Sequence, residues 1–250
     1  MKRSVRCAEL PNHVLNIVTL YGDEKRIEQL RNEQLQEGGG PGSLDFQKII
    51  PMPESLNIES GSRTSDAIKL YQAAVSCGIR EASYAGCGER LKEVLQNSDR
   101  NLAERIGNFD LEERFKLGKT AMDNLMRYHA ATWYEWCTEH WGTKWNGYDL
   151  GEGYPCEKNQ LRFYTAWAAP HPVLQQLSVL YPDVVLDHRW ADEDLGYNLG
   201  ERTYQAGKVT SEKFLMEGTP EALMFACELL GYDTGEILFE QNMEAEIKLQ

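Results

Sequence analysis

Residues 13–22, HVLNIVTLYG, form an apolar run rich in Val, Ile, Leu and Thr that closes on Gly22, the pattern of a buried strand. Asp23 then stands where a helix cap belongs. DEKRIEQLRNEQLQ places Ile27, Leu30 and Leu35 near one helical face. Residues 44–57, LDFQKIIPMPESLN, read as a short extended segment broken by Pro51 and Pro53. A helix is predicted over 65–76, with Ala67, Leu70, Ala74 and Val75 available for packing. From 77 to 110, Gly78, Gly86 and Gly88 interrupt weak helical patterns, and GCGER at 86–90 reads as a turn. The longest helical pattern opens on Asp110 and Glu113, a D-x-x-E capping signature. It carries Phe115, Leu117, Met122, Leu125, Met126 and Tyr128, with a break or bend expected at Gly118. It runs to His140 or Trp141 and meets Gly142, a natural left-handed stop.

Beyond Gly142 the period changes from helix to strand. TKWNGYDL alternates loosely, and QLRFYTAWAAP sets Leu161, Phe163, Thr165 and Trp167 on one side. HPVLQQLSVLYP predicts a helix with Pro172 in its first turn and a buried stripe of Val173, Leu174, Leu177 and Leu180. DVVLDHRWADE and LGYNLGERTYQAGKV read as two more strands joined through 192–196. Residues 143–209 are therefore β-β-α-β-β. With the N-terminal β-α unit they imply an α+β fold: a mixed, mostly antiparallel sheet with helices packed on it. A last helix, PEALMFACELL, starts at Thr219 and Pro220 and stops at Gly231.

Charge narrows the function classes. The 26 basic and 39 acidic residues leave a net −13, which repels a phosphate backbone, and no basic patch offsets it. From residue 211 onward there are nine Asp/Glu against two Lys. This acidic tail favours a basic partner over nucleic acid. The six cysteines (7, 77, 87, 137, 156 and 227) have no C-x-x-C spacing, so reduced thiols in a cytoplasm are expected. No apolar run of 18 residues and no signal-peptide core is found, so neither a membrane span nor export is expected. EGGGPGS at 37–43 lacks the Gly-Lys-Ser/Thr ending of a phosphate loop.

Four segments then bear on family: PNHVLNIVTLYGDE, FQKIIPMPESL, TWYEWCTEHWGTKWNGYD and RFYTAWAAPHPVLQQLSVLYPD. In this order they resemble the YubB-type ferredoxin-like family, proteins of phages, plasmids and other mobile elements of bacteria. The resemblance spans roughly residues 11–210. Trp-Gly-Thr-Lys-Trp-Asn at 141–146 is its most specific part. It implies a ferredoxin-like topology and a bacterial mobile-element setting; it implies no iron–sulfur cluster and no defined activity. The organisation it suggests is a domain over 1–210 with a helical insertion at about 58–141. A C-terminal helix and acidic tail fill 211–250.

Candidate chemistry concentrates in WYEWCTEHWGTKWNGYD, residues 133–149, which hold four of six tryptophans. On a helix Trp133, Trp136, His140 and nearly Trp141 share a face, and Glu135 and Glu139 form an i, i+4 pair beside it. A structural role for these rings is the leading expectation. A binding surface is the second, and an acid–base pair of Glu139 and His140 the third. Cys137 with His140 is half a zinc site, and Cys156 is the first partner to check. Asp187, His188, Asp192, Glu193 and Asp194 gather carboxylates without EF-hand spacing and read as a solvated hairpin turn. YNLGERTYQAG at 197–207 reads as a polar contact loop. The binding residues expected are Trp141, Lys144, Trp145, Asn146, Tyr148, Tyr197, Arg202 and Tyr204. No catalytic residue, metal or cofactor is assigned. The expected function is an interaction protein that binds a host protein, with a host defence component as one version. The alternative is a small-ligand binder or enzyme on the tryptophan-rich face.

Overall fold

The computed structural model describes residues 12–38, 40, 42–80, 87–106, 111–151 and 156–233. Cys7, Gly86, Asp110 and the tail from 234 onward, on which some of the expectations above fall, lie outside the described residues. The chain divides into two compact units, one built from 1–51 with 140–250, the other from 52–139.

The first unit opens with β1, His13–Tyr21, and α1, Glu24–Gln34. Asp23 caps α1 as the pattern predicts, its carboxylate accepting from the Lys25 and Arg26 amides. The segment after α1 departs from the extended reading. Asp45 caps a short helix, α2, Phe46–Ile49, before Pro51 ends it. At one-turn spacing Phe46 and Ile49 are both buried.

In the second unit α3 covers Ser62–Ser76, α4 Cys87–Ser98, α5 Arg100–Ile106, α6 Leu111–Tyr128 and α7 Trp133–His140. Three sequence expectations need correction here. Residues 87–90 begin α4 rather than a turn, because Cys87, Leu91, Val94 and Leu95 together face a buried cluster with Leu70, Ile79 and Phe115. The pattern from 111 to 140 is two helices, parted at His129, whose φ of 58° takes it out of the helical region. Gly118 does not break the helix. It lies in mid-helix on α6, where a Cβ would strike the Ala67 carbonyl and come within 2.9 Å of Tyr71 Cβ on α3. Glycine is there for close helix contact. Asp66 and Arg105 tie α3 to α5 through a two-point ion pair of 2.9 and 3.2 Å, which holds the Asp66 carboxyl below the usual range. Asn124, buried on α6, donates to the Ser55 and Ala131 carbonyls.

The chain re-enters the first unit at His140 and continues into β2, Gln160–Ala166, α8, His171–Leu180, and β3, Val185–Asp192. β4, Gly200–Gln205, β5, Lys208–Phe214, and α9, Pro220–Leu230, complete it. The sheet has the order β2-β1-β3-β4-β5, and every pairing is antiparallel. β2 and β3 both run against β1, so they are parallel to each other with β1 between them. α8 joins them, which makes a split β-α-β unit. Outside β2 a single antiparallel bridge pairs Tyr148 with Tyr164. The loose alternation of TKWNGYDL is therefore one bridge, not a strand. Residues 197–209 are also divided differently from the expectation: Ala206 and Gly207, both at positive φ, turn the chain into the β4–β5 hairpin.

The register sorts side chains to two faces. Val14, Asn16, Val18 and Leu20 of β1 share one face with Phe163, Leu186, His188 and Trp190, and α8 packs there through contacts that include His171 on Trp190. Leu15, Tyr164 and Ala191 share the other with Ala222, Phe225, Ala226 and Leu229 of α9. Over β1 and β3 neither face is open. An apolar face covered on both sides is the chief source of stability in such a layered domain.

Candidate functional site at one end of the sheet

The tryptophan-rich segment starts as local helix chemistry. Thr132 and Glu135 form a capping box at α7: Tyr134 N–H donates to Thr132 Oγ1, and Thr132 N–H donates to the Glu135 carboxylate at 3.0 Å. Glu135 thus serves the helix start, not an acid pair with Glu139. Trp136 is buried, as is Cys137, whose thiol burial pushes up to about 12. A thiol so protonated is a poor metal ligand or nucleophile. Among the described residues no group of three or more His, Cys, Asp and Glu side chains could hold a metal ion. Glu139 is exposed at the end of α7.

From Trp141 onward the side chains part into two sets. Trp141, Thr143 and Asn146 turn inward. Trp141 is 3% exposed, donates from Nε1 to the Ile50 carbonyl at 2.9 Å and meets Phe46 edge-on. Thr143 donates to the Ala166 carbonyl, and Asn146 accepts from the Phe46 and Gly147 amides. Gly142 takes φ 75°, the left-handed stop expected after α7. These bonds stitch the segment alongside β2.

Lys144, Trp145 and Tyr148 form the other set. Lys144 Nζ lies 4.8 Å from the Trp145 ring centre and 4.4 Å from that of Trp167, within cation–π range of both. Tyr148 Oη is 2.6 Å from His13 Nδ1, and the Tyr148 ring lies against those of His13, Trp145 and Tyr164. Burial pushes the Tyr148 hydroxyl up to about 12, with the Glu193 carboxylate adding to the shift.

Antiparallel pairing explains why distant residues meet here. His13 opens β1, Ala166 closes β2 and Asp192 closes β3, so all three strand ends lie side by side. Trp167 is the residue just past β2. It is 42% exposed, and its φ of 69° is a left-handed conformation that a bulky side chain rarely takes. Its backbone is held on both sides: its N–H donates to the Asn12 carbonyl at 2.9 Å, and its carbonyl accepts from Asn198 Nδ2 at 3.0 Å. Asn198 also bonds Asp192 and, through its N–H, Glu217. Asp192 is buried, accepting in addition from Asn12 and the Asp194 amide. It belongs to this scaffold rather than to the solvated turn the sequence suggests. Glu193, Asp194 and Glu217 are exposed around it.

The remaining expected residues lie apart. Tyr197 is exposed beside a small cleft of about 150 Å³ that it shares with Thr219, Pro220 and Leu223. Arg202 pairs with Glu212 across the β4–β5 hairpin and lies over Phe214. Tyr204 is fully buried in β4, so the expected polar loop is instead a strand whose inward side chains enter the core. There it joins a second polar cluster, under α8. His171 Nδ1 is 2.8 Å from Tyr204 Oη, and its ring meets Trp190 edge-on at 4.6 Å. His188, fully buried, stacks on Trp190 and bonds Asn16 from Nε2 at 3.0 Å. Burial brings His171 down to about 4 with help from the Arg202 charge, lowers His188 well below its ordinary value and raises Tyr204 to about 12. His188 and Tyr204 of this cluster are fully buried, and His171 is half-buried at its edge. At the far end of β1 a groove of about 790 Å³ runs along α1, lined by Tyr21, Glu24, Ile27, Arg31 and Lys158.

The sequence missed His13, Trp167 and Asn198. Trp167 was legible only as the last inward residue of a strand pattern, and the chain turns outward there instead.

Comparison with known proteins bears on the sheet and not on the surface. No curated protein matches the chain. The crystal structure of protein Api92 from Yersinia pseudotuberculosis aligns with a TM-score of 0.36 at 14% identity, over 84% of this chain and 99% of that one. Among the described residues no helix is long and apolar enough to cross a membrane. The span from the end of α7 through α9, residues 140–233, matches the family model described as a ferredoxin-like domain in Api92-like protein, and to that domain this part of the chain is similar.

Proposed function

We propose that this chain is an interaction protein of a phage or other bacterial mobile element, and that it binds a host protein through the surface of Lys144, Trp145, Tyr148 and Trp167. The observation that carries this reading is Trp167. An indole is costly to leave in water, and left-handed backbone costs a non-glycine residue on the order of 1 kcal/mol or more. Here both costs fall on one residue, fixed by Asn12 and Asn198. Strain retained at an exposed aromatic residue is a feature of contact surfaces, where tryptophan contributes more than its share of affinity. The net charge of −13 and the covered sheet faces speak against stacking nucleic-acid bases on the sheet. The resemblance to mobile-element proteins makes a host defence component the favoured class of partner.

The test is capture from bacterial lysate with the full-length protein and with Trp167→Ala, each with and without nuclease. The expected result is one or more host proteins retained by the wild type, insensitive to nuclease and lost with Trp167→Ala. Equal retention by both proteins, or loss on nuclease treatment, would overturn the reading.

A further inference from the structure

The two indoles at the end of the sheet already hold a cation. Lys144 Nζ sits 4.8 and 4.4 Å from the Trp145 and Trp167 ring centres, while exposed carboxylates of Glu193, Asp194 and Glu217 stand on the neighbouring loops. Glu193 is close enough to raise the Tyr148 hydroxyl, which itself lies against Trp145. The Glu193 amide donates to the His13 carbonyl and the Glu217 carboxylate accepts from the Asn198 amide, so both are anchored to the scaffold that fixes Trp167.

We infer that Trp145 and Trp167 form a slot for an arginine side chain of a basic segment in the partner protein, and that Lys144 occupies this slot as an internal competitor in the free protein. The inference rests on the interaction reading above and specifies its chemistry. A planar, weakly hydrated guanidinium stacks on indole better than an ammonium does. An incoming arginine can therefore take the ring faces while Lys144 swings into water on its flexible stem. The rim carboxylates accept the remaining guanidinium hydrogens, and the protein's negative charge speeds the encounter. Tryptophan faces alone would accept many apolar groups. The seated ammonium together with the acidic rim selects a cation.

Calorimetric titration of the purified full-length chain with a synthetic Arg-Gly repeat peptide tests this, using the same peptide with citrulline in place of arginine as the uncharged control. Lys144→Met removes the ammonium from the slot. Lys208→Met makes the same change in net charge at the β4–β5 turn, the opposite end of the sheet. The wild type should bind the arginine peptide and not the citrulline one. Lys144→Met should bind it roughly three- to fivefold more tightly, the fold-change equivalent to one exposed cation–π contact. Lys208→Met should bind as the wild type does, and Trp167→Ala should lose at least as much affinity as Lys144→Met gains. Circular dichroism of each variant confirms that it is folded. Absence of peptide binding, equal binding of the citrulline peptide, equal effects of the two lysine substitutions, or undiminished binding by Trp167→Ala would each overturn the slot. Host-protein capture that depends on Trp167 alongside any of these results would leave the interaction reading standing without it. Peptide results as expected with no Trp167-dependent capture would do the reverse.

Discussion

Acidification should weaken the first unit through the histidines beneath α8. His171 is held neutral by burial and by the Arg202 charge, down to about 4 from an ordinary 6.5. Below pH 6.5 the unfolded chain takes up a proton that the folded chain refuses until about pH 4. Stability is therefore unaffected above that window and falls as pH drops through it. Working the linkage between pH 7 and pH 5 makes the loss from His171 alone about 2 kcal/mol. That is a substantial part of a domain's usual total of about 5–15 kcal/mol. His188 shifts in the same direction and adds to the loss. The groups facing the pair are Tyr204 and Arg202 from β4, Glu212 from β5 and Trp190 from β3, and α8 itself contributes no charge but His171. Of these groups only Glu212 is acidic, and Arg202 already engages it. The perturbation is His171→Gln, which removes the titration while keeping an acceptor for the Tyr204 hydroxyl. Urea unfolding at pH 7 and pH 5, at constant ionic strength, measures the change for each protein. The wild type should lose about 2 kcal/mol more than the variant between the two pH values. Equal losses would refute the argument, whatever the variant's absolute stability.

Two further substitutions probe the packing. Trp141→Ala removes a buried ring and its bond to the Ile50 carbonyl, and should cost roughly 3–5 kcal/mol; half-buried Trp145→Ala should cost less, so equal melting temperatures for the two would contradict the division into inward and outward sets. Gly118→Ala forces a methyl group against the Ala67 carbonyl at the α3–α6 crossing and should destabilise by about 1–3 kcal/mol despite alanine's higher helix propensity; a stabilised variant in thermal unfolding would show that the helices part without cost.

The sequence was most legible where local chemistry and periodicity agree. β1, α1, β2, α8 and α9 could be placed because an apolar run or stripe marks each, with capping residues Asp23 before α1 and Thr219 before α9 and a stop at Gly231 after α9. Where those signals conflict, packing decided. Glycines at 86 and 88 suggested a turn, yet α4 forms because its apolar positions are buried against α3 and α6. Gly118 looks like a breaker in one dimension and is a contact point in three. YNLGERTYQAG reads both as part of a strand and as a polar contact loop; pairing with β3 makes Gly200–Gln205 a strand and buries Tyr204.

The candidate surface shows the same division. That Lys144, Trp145 and Tyr148 belong together follows from their closeness in sequence. That they meet His13, Trp167, Glu193 and Asn198 does not, because those residues are spread along most of the chain and carry no shared spacing. Antiparallel register alone sets the start of β1 beside the ends of β2 and β3. Only a backbone tied by Asn12 and Asn198 turns the Trp167 ring outward, where its strand pattern pointed inward. By itself the sequence determined the sign of the charge and those elements whose local signals agree, since these depend on composition and near neighbours. The tertiary structure decided which aromatic rings are core and which are surface, because that depends on which strand ends are brought side by side.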